Sequence, residues 1–154
     1  MLFIFMGPSC TGKSTVAEEL SKLTPSEIFS GKDYLRLAKN ENEAWKVFNE
    51  NLSKASEDKD ISNKSIIYIV SEKESLSEIE GINNSITVKF ASDLGLIKKR
   101  FAKRMRGNLP SAIEKMIERQ VASFDDVESI LYVDTTDKNP AEIANTILDY
   151  VIKC

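Results

Sequence analysis

The sequence of 154 residues contains no histidine, which removes imidazole both as a general base and as a metal ligand. It has only two cysteines, Cys10 and Cys154, too few for a disulfide framework, and this predicts a reducing compartment. It has no excess of positive charge, since the net charge is −3, so a general nucleic-acid-binding surface is not expected. The apolar run at residues 1–6 is too short for a signal or membrane-spanning segment. We therefore expect a cytoplasmic protein without membrane contact, either a monomer or a homodimer.

Strand-like and helix-like patterns alternate along the whole chain. Apolar or β-branched runs predict five strands, at residues 1–6, 26–30, 65–70, 85–90 and 130–134. Helical spacing predicts helices after Lys13, over residues 41–56, from Asp93 to about Arg106 with Ser92 as the cap, near Pro110, and after Asn139. This alternation predicts a single α/β domain over residues 1–154, a three-layer sandwich with a five-stranded, mainly parallel sheet. Ligands are expected beyond the carboxyl ends of the strands.

Residues 7–15 read Gly-Pro-Ser-Cys-Thr-Gly-Lys-Ser-Thr and match the phosphate-loop pattern G-x-x-x-x-G-K-[ST] between a strand and a helix. Backbone amides of such a loop and the positive end of the following helix hold phosphate oxygens. Lys13 is expected to reach the terminal phosphates, and Ser14 is expected to ligate magnesium. The predicted nucleotide-binding residues are Gly7, Ser9, Cys10, Thr11, Gly12, Lys13, Ser14 and Thr15.

The loop resembles that of the guanylate kinases within the P-loop kinases, and the segment Arg104-Met105-Arg106-Gly107 is similar to the arginine-glycine segment of their lid. The resemblance implies a fold of the nucleoside-monophosphate-kinase type, transfer of phosphate from ATP to a nucleoside monophosphate, and a basic lid around residues 98–120. Arg104 and Arg106 would then be catalytic, and Arg100 would bind substrate. The guanine-reading motif N-K-x-D of GTPases does not follow the last strand, so ATP with magnesium is the expected donor.

Asp33 and Arg36 follow the second predicted strand and are similar to residues of polynucleotide and small-metabolite kinases. In that group the aspartate is the base and the arginine holds acceptor phosphate. A phosphorylated acceptor would depend more on Arg36, and a hydroxyl acceptor more on Asp33. The alternative is that both residues are solvated side chains at a helix start. A third alternative, from another class, is a regulatory switch that binds ATP and hydrolyses it slowly.

Two further residues have two interpretations each. Glu72 follows the third predicted strand and could organise magnesium-bound water, or could simply begin a loop. Cys10 lies inside the phosphate loop, where many P-loop kinases have glycine, and could be a reactive thiolate near Lys13 or a small buried side chain. The sequence alone does not decide between the two interpretations of Glu72 or between those of Cys10.

Overall fold

The structure, a computed structural model, describes residues 1–153, so the terminal Cys154 lies outside the described residues. The strands are β1 (Leu2–Met6), β2 (Ser26–Ser30), β3 (Ser65–Val70), β4 (Ile86–Ala91) and β5 (Leu131–Asp134). The helices are α1 (Lys13–Leu23), α2 (Glu41–Glu57), α3 (Lys73–Leu76), α4 (Leu94–Arg104), α5 (Ser111–Ser123) and α6 (Pro140–Lys153). Two short 3-10 helices, Asp33–Leu37 and Ser77–Ile79, complete the described elements.

The five strands form one sheet in the order β2-β3-β1-β4-β5, and every pair of neighbours is parallel. The predicted sheet is therefore confirmed, and it is parallel throughout. Met6, the last residue of β1, lies opposite Val70 of β3 and Lys89 of β4. The carboxyl ends of the three central strands consequently meet at one edge of the sheet, where the phosphate loop begins.

Strand β1 is buried on both faces, as its continuous apolar run predicted. Phe3 and Phe5 point to one face, where α1 and α6 cover the sheet, while Leu2, Ile4 and Met6 point to the other, where α2 packs. The alternation follows from the two-residue period of a strand. These two apolar cores on opposite faces make the three layers of the sandwich.

The ends of α4 differ from the sequence prediction. Asp93, not Ser92, caps its first turn, because the Asp93 carboxylate accepts a hydrogen bond from the Leu96 amide at 3.3 Å. The Ser92 hydroxyl is instead hydrogen-bonded to Thr135. The helix ends at Arg104, since Arg106 and Gly107 have left-handed backbone angles with φ of 62° and 87°.

The cap of α6 agrees with the sequence. The side-chain oxygen of Asn139 accepts from the Ala141 amide at 2.8 Å, and Pro140 is the first helical residue.

Across the residues described, no helix combines the length and the apolar character needed to cross a membrane.

Candidate functional site

The phosphate loop, residues 7–15, joins β1 to α1 and needs glycine at its first position. Gly7 has φ of 149°, and its amide donates to the Val70 carbonyl at 3.1 Å. A Cβ atom at this position would lie 2.3 Å from the Phe90 carbonyl oxygen. Only glycine therefore allows the chain to turn between the ends of β3 and β4 at this point.

Lys13 is buried beneath this loop. Lys13 is the first residue of α1 and is 4% exposed. Its ammonium group donates hydrogen bonds to the carbonyls of Gly7 at 2.7 Å and Pro8 at 2.5 Å. The pKa of Lys13 is lowered to about 7, chiefly by burial; the charge of Arg104 acts in the same direction and Cys10 in the opposite one. Since no carboxylate pairs with Lys13 among the described residues, the site is arranged to receive an outside negative charge.

A cavity of about 180 Å³, here called the loop cavity, opens above Lys13. Ser14 and Thr15 at the start of α1 line it together with Arg104 and Ser71. Both hydroxyl residues of α1 are exposed. The cavity thus combines an ammonium, a guanidinium, hydroxyl groups and a helix N-terminus, which is the chemistry that holds a polyphosphate.

A larger cavity of about 510 Å³, the helix cavity, continues from the loop cavity between α4 and α6. The two cavities share Cys10, Gly12, Thr15 and Arg104. Its other walls are Val16, Arg100, Lys103, Thr135, Lys138, Pro140 and Ile143. The Thr135 hydroxyl also donates to the Thr11 carbonyl at 2.8 Å, so the segment after β5 fixes the phosphate loop. Neither Lys103 nor Lys138 was among the site residues predicted from the sequence.

The segment predicted as a lid lies against the phosphate loop. Arg100 of α4 donates to the Cys10 carbonyl at 3.0 Å, and Gln120 of α5 accepts from the Ser9 amide at 2.9 Å. The Cys10 thiol is free and buried against Ile97 and Ile117, the buried residues of these two helices. This burial favours the interpretation of Cys10 as a small packing side chain. Gln120 was missed as a site residue, although a polar side chain on the mostly apolar face of α5 was an available signal.

The two arginines predicted to act from the lid, Arg104 and Arg106, differ in whether they reach the cavities. Arg104 lines both the loop cavity and the helix cavity, whereas Arg106 is exposed and lines neither. Lys98, from the same basic run, bridges α4 to α5 through Glu118 at 2.7 Å. The basic cluster therefore has several different roles, and only part of it faces the cavities.

A third cavity of about 400 Å³, the strand-end cavity, lies beyond the carboxyl ends of β2 and β3. It shares Ser30, Ile69 and Ser71 with the loop cavity. Its remaining walls include Lys32, Tyr34, Glu41, Tyr68, Glu72 and Glu78. Glu72 thus lies in this cavity and not among the residues that line the loop cavity, where a magnesium ligand was expected.

The two predicted acceptor residues lie outside the lining of this cavity. The Asp33 carboxylate accepts from the Ser30 amide at 2.9 Å and so stabilises the turn that borders the cavity. Arg36 pairs with Glu27 at 3.2 Å and lies over the Phe29 ring at 4.3 Å from its centroid. The guanidinium of Arg36 is therefore engaged elsewhere, because a neighbouring carboxylate and an aromatic ring both attract it.

Comparisons with known proteins give matches to solved structures only: no protein-family model and no curated protein sequence matches the chain significantly. Shikimate kinase from Acinetobacter baumannii, solved with shikimate, is 15% identical with a TM-score of 0.66, over 99% of this chain and 93% of that one. A gluconokinase from Sinorhizobium meliloti 1021 is 15% identical with a TM-score of 0.60, over 98% and 91%. The chain has the fold of the P-loop kinases.

A third match has higher identity. The YorR protein from Bacillus subtilis, solved in complex with phosphorylated GDP, is 29% identical with a TM-score of 0.59, over 99% of this chain and 96% of that chain. The matches confirm the predicted fold class. They do not single out guanylate kinases among the P-loop kinases.

Proposed function

We propose that this protein is an ATP-dependent kinase that transfers the terminal phosphate of ATP to a hydroxyl group of a small molecule. The observation that carries the proposal is the junction of the loop cavity with the strand-end cavity at Ser30, Ile69 and Ser71. A donor phosphate above Lys13 and an acceptor in the neighbouring cavity would meet at this junction. Such positioning supplies much of the catalysis in phosphoryl transfer.

ATP would lie across the two connected cavities. Its phosphates would occupy the loop cavity above Lys13, and its nucleoside would occupy the helix cavity between α4 and α6. Magnesium suits the exposed hydroxyl of Ser14 because this ion prefers few protein oxygens together with phosphate oxygens. When bound, magnesium would neutralise charge on the phosphates. Arg104, which borders both cavities, would stabilise charge on the transferring oxygens.

In the proposed reaction, the acceptor oxygen forms a bond to the terminal phosphorus while the bond from that phosphorus to the bridging oxygen breaks. ADP leaves, and the hydroxyl proton passes to a carboxylate. Asp33 was the base expected from sequence, and Glu72 is a second candidate because it lines the strand-end cavity directly after Ser71. No histidine is present in the sequence to compete for this role.

A second candidate acceptor is a nucleoside monophosphate, as in the guanylate kinases. It is favoured by the loop sequence and by the match to the YorR protein, whose structure contains phosphorylated GDP. A phosphorylated acceptor, however, calls for cationic side chains, and no arginine lines the strand-end cavity. The hydroxyl acceptor is therefore preferred.

The test is ATP consumption with magnesium against a panel of nucleoside monophosphates, nucleosides and hydroxyl-bearing metabolites. Lys13→Ala is expected to remove nearly all transfer, by about a thousandfold or more, because the charge at the terminal phosphates is lost. Circular dichroism of this variant would verify that the fold is kept. Activity near wild type in Lys13→Ala would contradict the proposal. Slow ATP hydrolysis that no acceptor accelerates would indicate the switch alternative.

A further inference from the structure

The lining of the strand-end cavity carries more negative than positive side chains. Three carboxylates line it, from Glu41, Glu72 and Glu78, against the single ammonium of Lys32. Lys32 is itself highly exposed and lies 3.9 Å from the Glu41 carboxylate. The described lining therefore carries a net formal charge of −2, which repels an anionic acceptor and attracts a cationic one.

The Tyr68 hydroxyl also points to a ligand in this cavity. Tyr68 is 3% exposed as a residue and lines the cavity, and its hydroxyl makes no hydrogen bond to another residue in the described part of the chain. Because no buried side-chain oxygen or nitrogen of the described residues lacks a partner, this hydroxyl is open to the cavity and can bond to a ligand. An acceptor with a hydroxyl or amine group would supply a hydrogen-bond partner for it.

A second tyrosine of the cavity lining, Tyr34, is hydrogen-bonded to the Glu41 carboxylate. The Tyr34 hydroxyl donates to the Glu41 carboxylate at 3.3 Å. Burial, and then the nearby negative charge of Glu78, raise the pKa of Tyr68 to about 12. Glu41 thus bonds to one tyrosine of the cavity lining and Glu78 acts electrostatically on the other, and Tyr68 remains a neutral donor at physiological pH.

We propose that the acceptor bound in the strand-end cavity carries a protonated amine beside the hydroxyl group that is phosphorylated. Glu41 and Glu78 would bind the ammonium group, and the Tyr68 hydroxyl would bond to a polar group of the same molecule. The inference rests on the proposed kinase function and narrows its substrate class to hydroxylated amines such as amino sugars and amino alcohols. Arg36, held by Glu27 outside the cavity, leaves no arginine there to bind an acceptor anion.

The test measures kcat/KM for ATP-dependent phosphorylation with matched compounds of different charge. One set is glucosamine, N-acetylglucosamine and gluconate; a second is ethanolamine, N-acetylethanolamine and glycolate; GMP and CMP serve as phosphorylated acceptors. Two carboxylates that each contribute a partly exposed ion pair should favour the amine of a set by about tenfold or more. The double variant Glu41→Gln/Glu78→Gln should reduce that preference to about twofold or less by removing both pairs.

The matched control is the double variant Glu43→Gln/Glu80→Gln. These residues lie two positions further along the same segments, are exposed and do not line the cavity. They should leave the preference for the amine unchanged. An equal loss in this control would assign the preference to net charge and would overturn the inference.

Other outcomes separate the two proposals. Preference for the neutral or carboxylate compounds, or no phosphorylation of any amine while calorimetry shows ATP binding that depends on Lys13, would overturn the inference but not the kinase proposal. Preference for GMP or CMP would overturn the inference and would favour the second candidate acceptor. If the wild-type protein does not bind ATP, the kinase proposal itself fails.

Discussion

The side-chain oxygen of Gln120 accepts a hydrogen bond from the Ser9 amide at 2.9 Å, between residues 111 positions apart. This bond ties α5 to the phosphate loop, and the bond from Arg100 to the Cys10 carbonyl ties α4 to the same loop. Cys10 packs between Ile97 and Ile117 of these helices. The geometry of the loop is therefore coupled to the helices predicted as a lid.

Replacing Gln120 by leucine should weaken ATP binding. The Ser9 amide would lose its acceptor, at a cost of about 1–1.5 kcal/mol, so the Kd of ATP should rise about tenfold. Calorimetric titration with ATP and magnesium measures this change. Met116→Leu is the control, because Met116 lies about one turn earlier on α5 and is exposed. An unchanged Kd in Gln120→Leu would show that the bond does not shape the nucleotide site.

The sequence predicts those parts of the site that depend on neighbouring residues. The residues of the phosphate loop are contiguous in the sequence. The continuous apolar run of β1 predicts its burial on both faces of the sheet. Gln120 could not be assigned in this way, since its partner is distant in the chain. Ser92 and Asp93 are both good caps, and only the hydrogen bond of Ser92 to Thr135 decides between them.

The placement of the arginines was least predictable. Long cationic side chains reach whichever carboxylate, ring or carbonyl the fold brings near, and local sequence does not reveal that neighbour. Arg36 is held by Glu27 and the Phe29 ring, and Arg106 lies in a left-handed turn outside the cavities. Arg100 and Arg104, by contrast, line the helix cavity.

Arg104→Ala should lower kcat more than it weakens ATP binding. A guanidinium that borders both donor cavities is expected to stabilise charge on the transferring phosphate, and its loss should reduce kcat by about a hundredfold. Arg106→Ala removes the same charge two residues later, outside the cavities, and should stay within about threefold of wild type. Steady-state kinetics with varied ATP separates kcat from KM. Equal losses in the two variants would contradict the assignment.

Asp33→Asn and Glu72→Gln should identify the base. Each change keeps the shape of the side chain and removes its ability to accept a proton, so the true base should lose about a hundredfold in kcat. Because Glu72 lines the strand-end cavity and Asp33 does not, the larger loss is expected for Glu72→Gln. Asp33→Asn should act mainly on stability, through the bond to the Ser30 amide. Pre-steady-state transfer rates and thermal melts together distinguish these effects.

Gly7→Ala should unfold the protein at a markedly lower temperature. The added methyl group would lie 2.3 Å from the Phe90 carbonyl oxygen, and the φ of 149° is unfavourable for alanine. Steric overlap and backbone strain together should cost about 3–5 kcal/mol, or roughly 10 °C in Tm. Gly12→Ala is the matched variant, since its Cβ would meet nothing closer than 3.9 Å and only its φ of 85° is strained. Similar melting temperatures for the two variants would argue against the contact with Phe90.

Lys13 should make ATP binding dependent on pH. Burial lowers its pKa from 10.5 to about 7 in the folded protein. Between about pH 7 and 10.5 the unfolded chain therefore binds more protons at this residue than the folded one, so its contribution to the free energy of unfolding rises with pH. ATP reverses the shift, because phosphate oxygens beside the ammonium raise its pKa.

ATP binding at pH 8 should consequently take up close to one proton per site, and ATP affinity should fall as pH rises from 7 to 9. At pH 8 the phosphates of ATP are already ionised, since their last pKa is about 6, so the proton is assigned to the protein. Calorimetry in buffers of different ionisation enthalpy measures the uptake. Lys13→Ala should abolish it even at ligand concentrations high enough to restore binding, whereas Lys22→Ala, at an exposed position on α1, should retain it. Uptake that persists in Lys13→Ala would mean that another group takes up the proton.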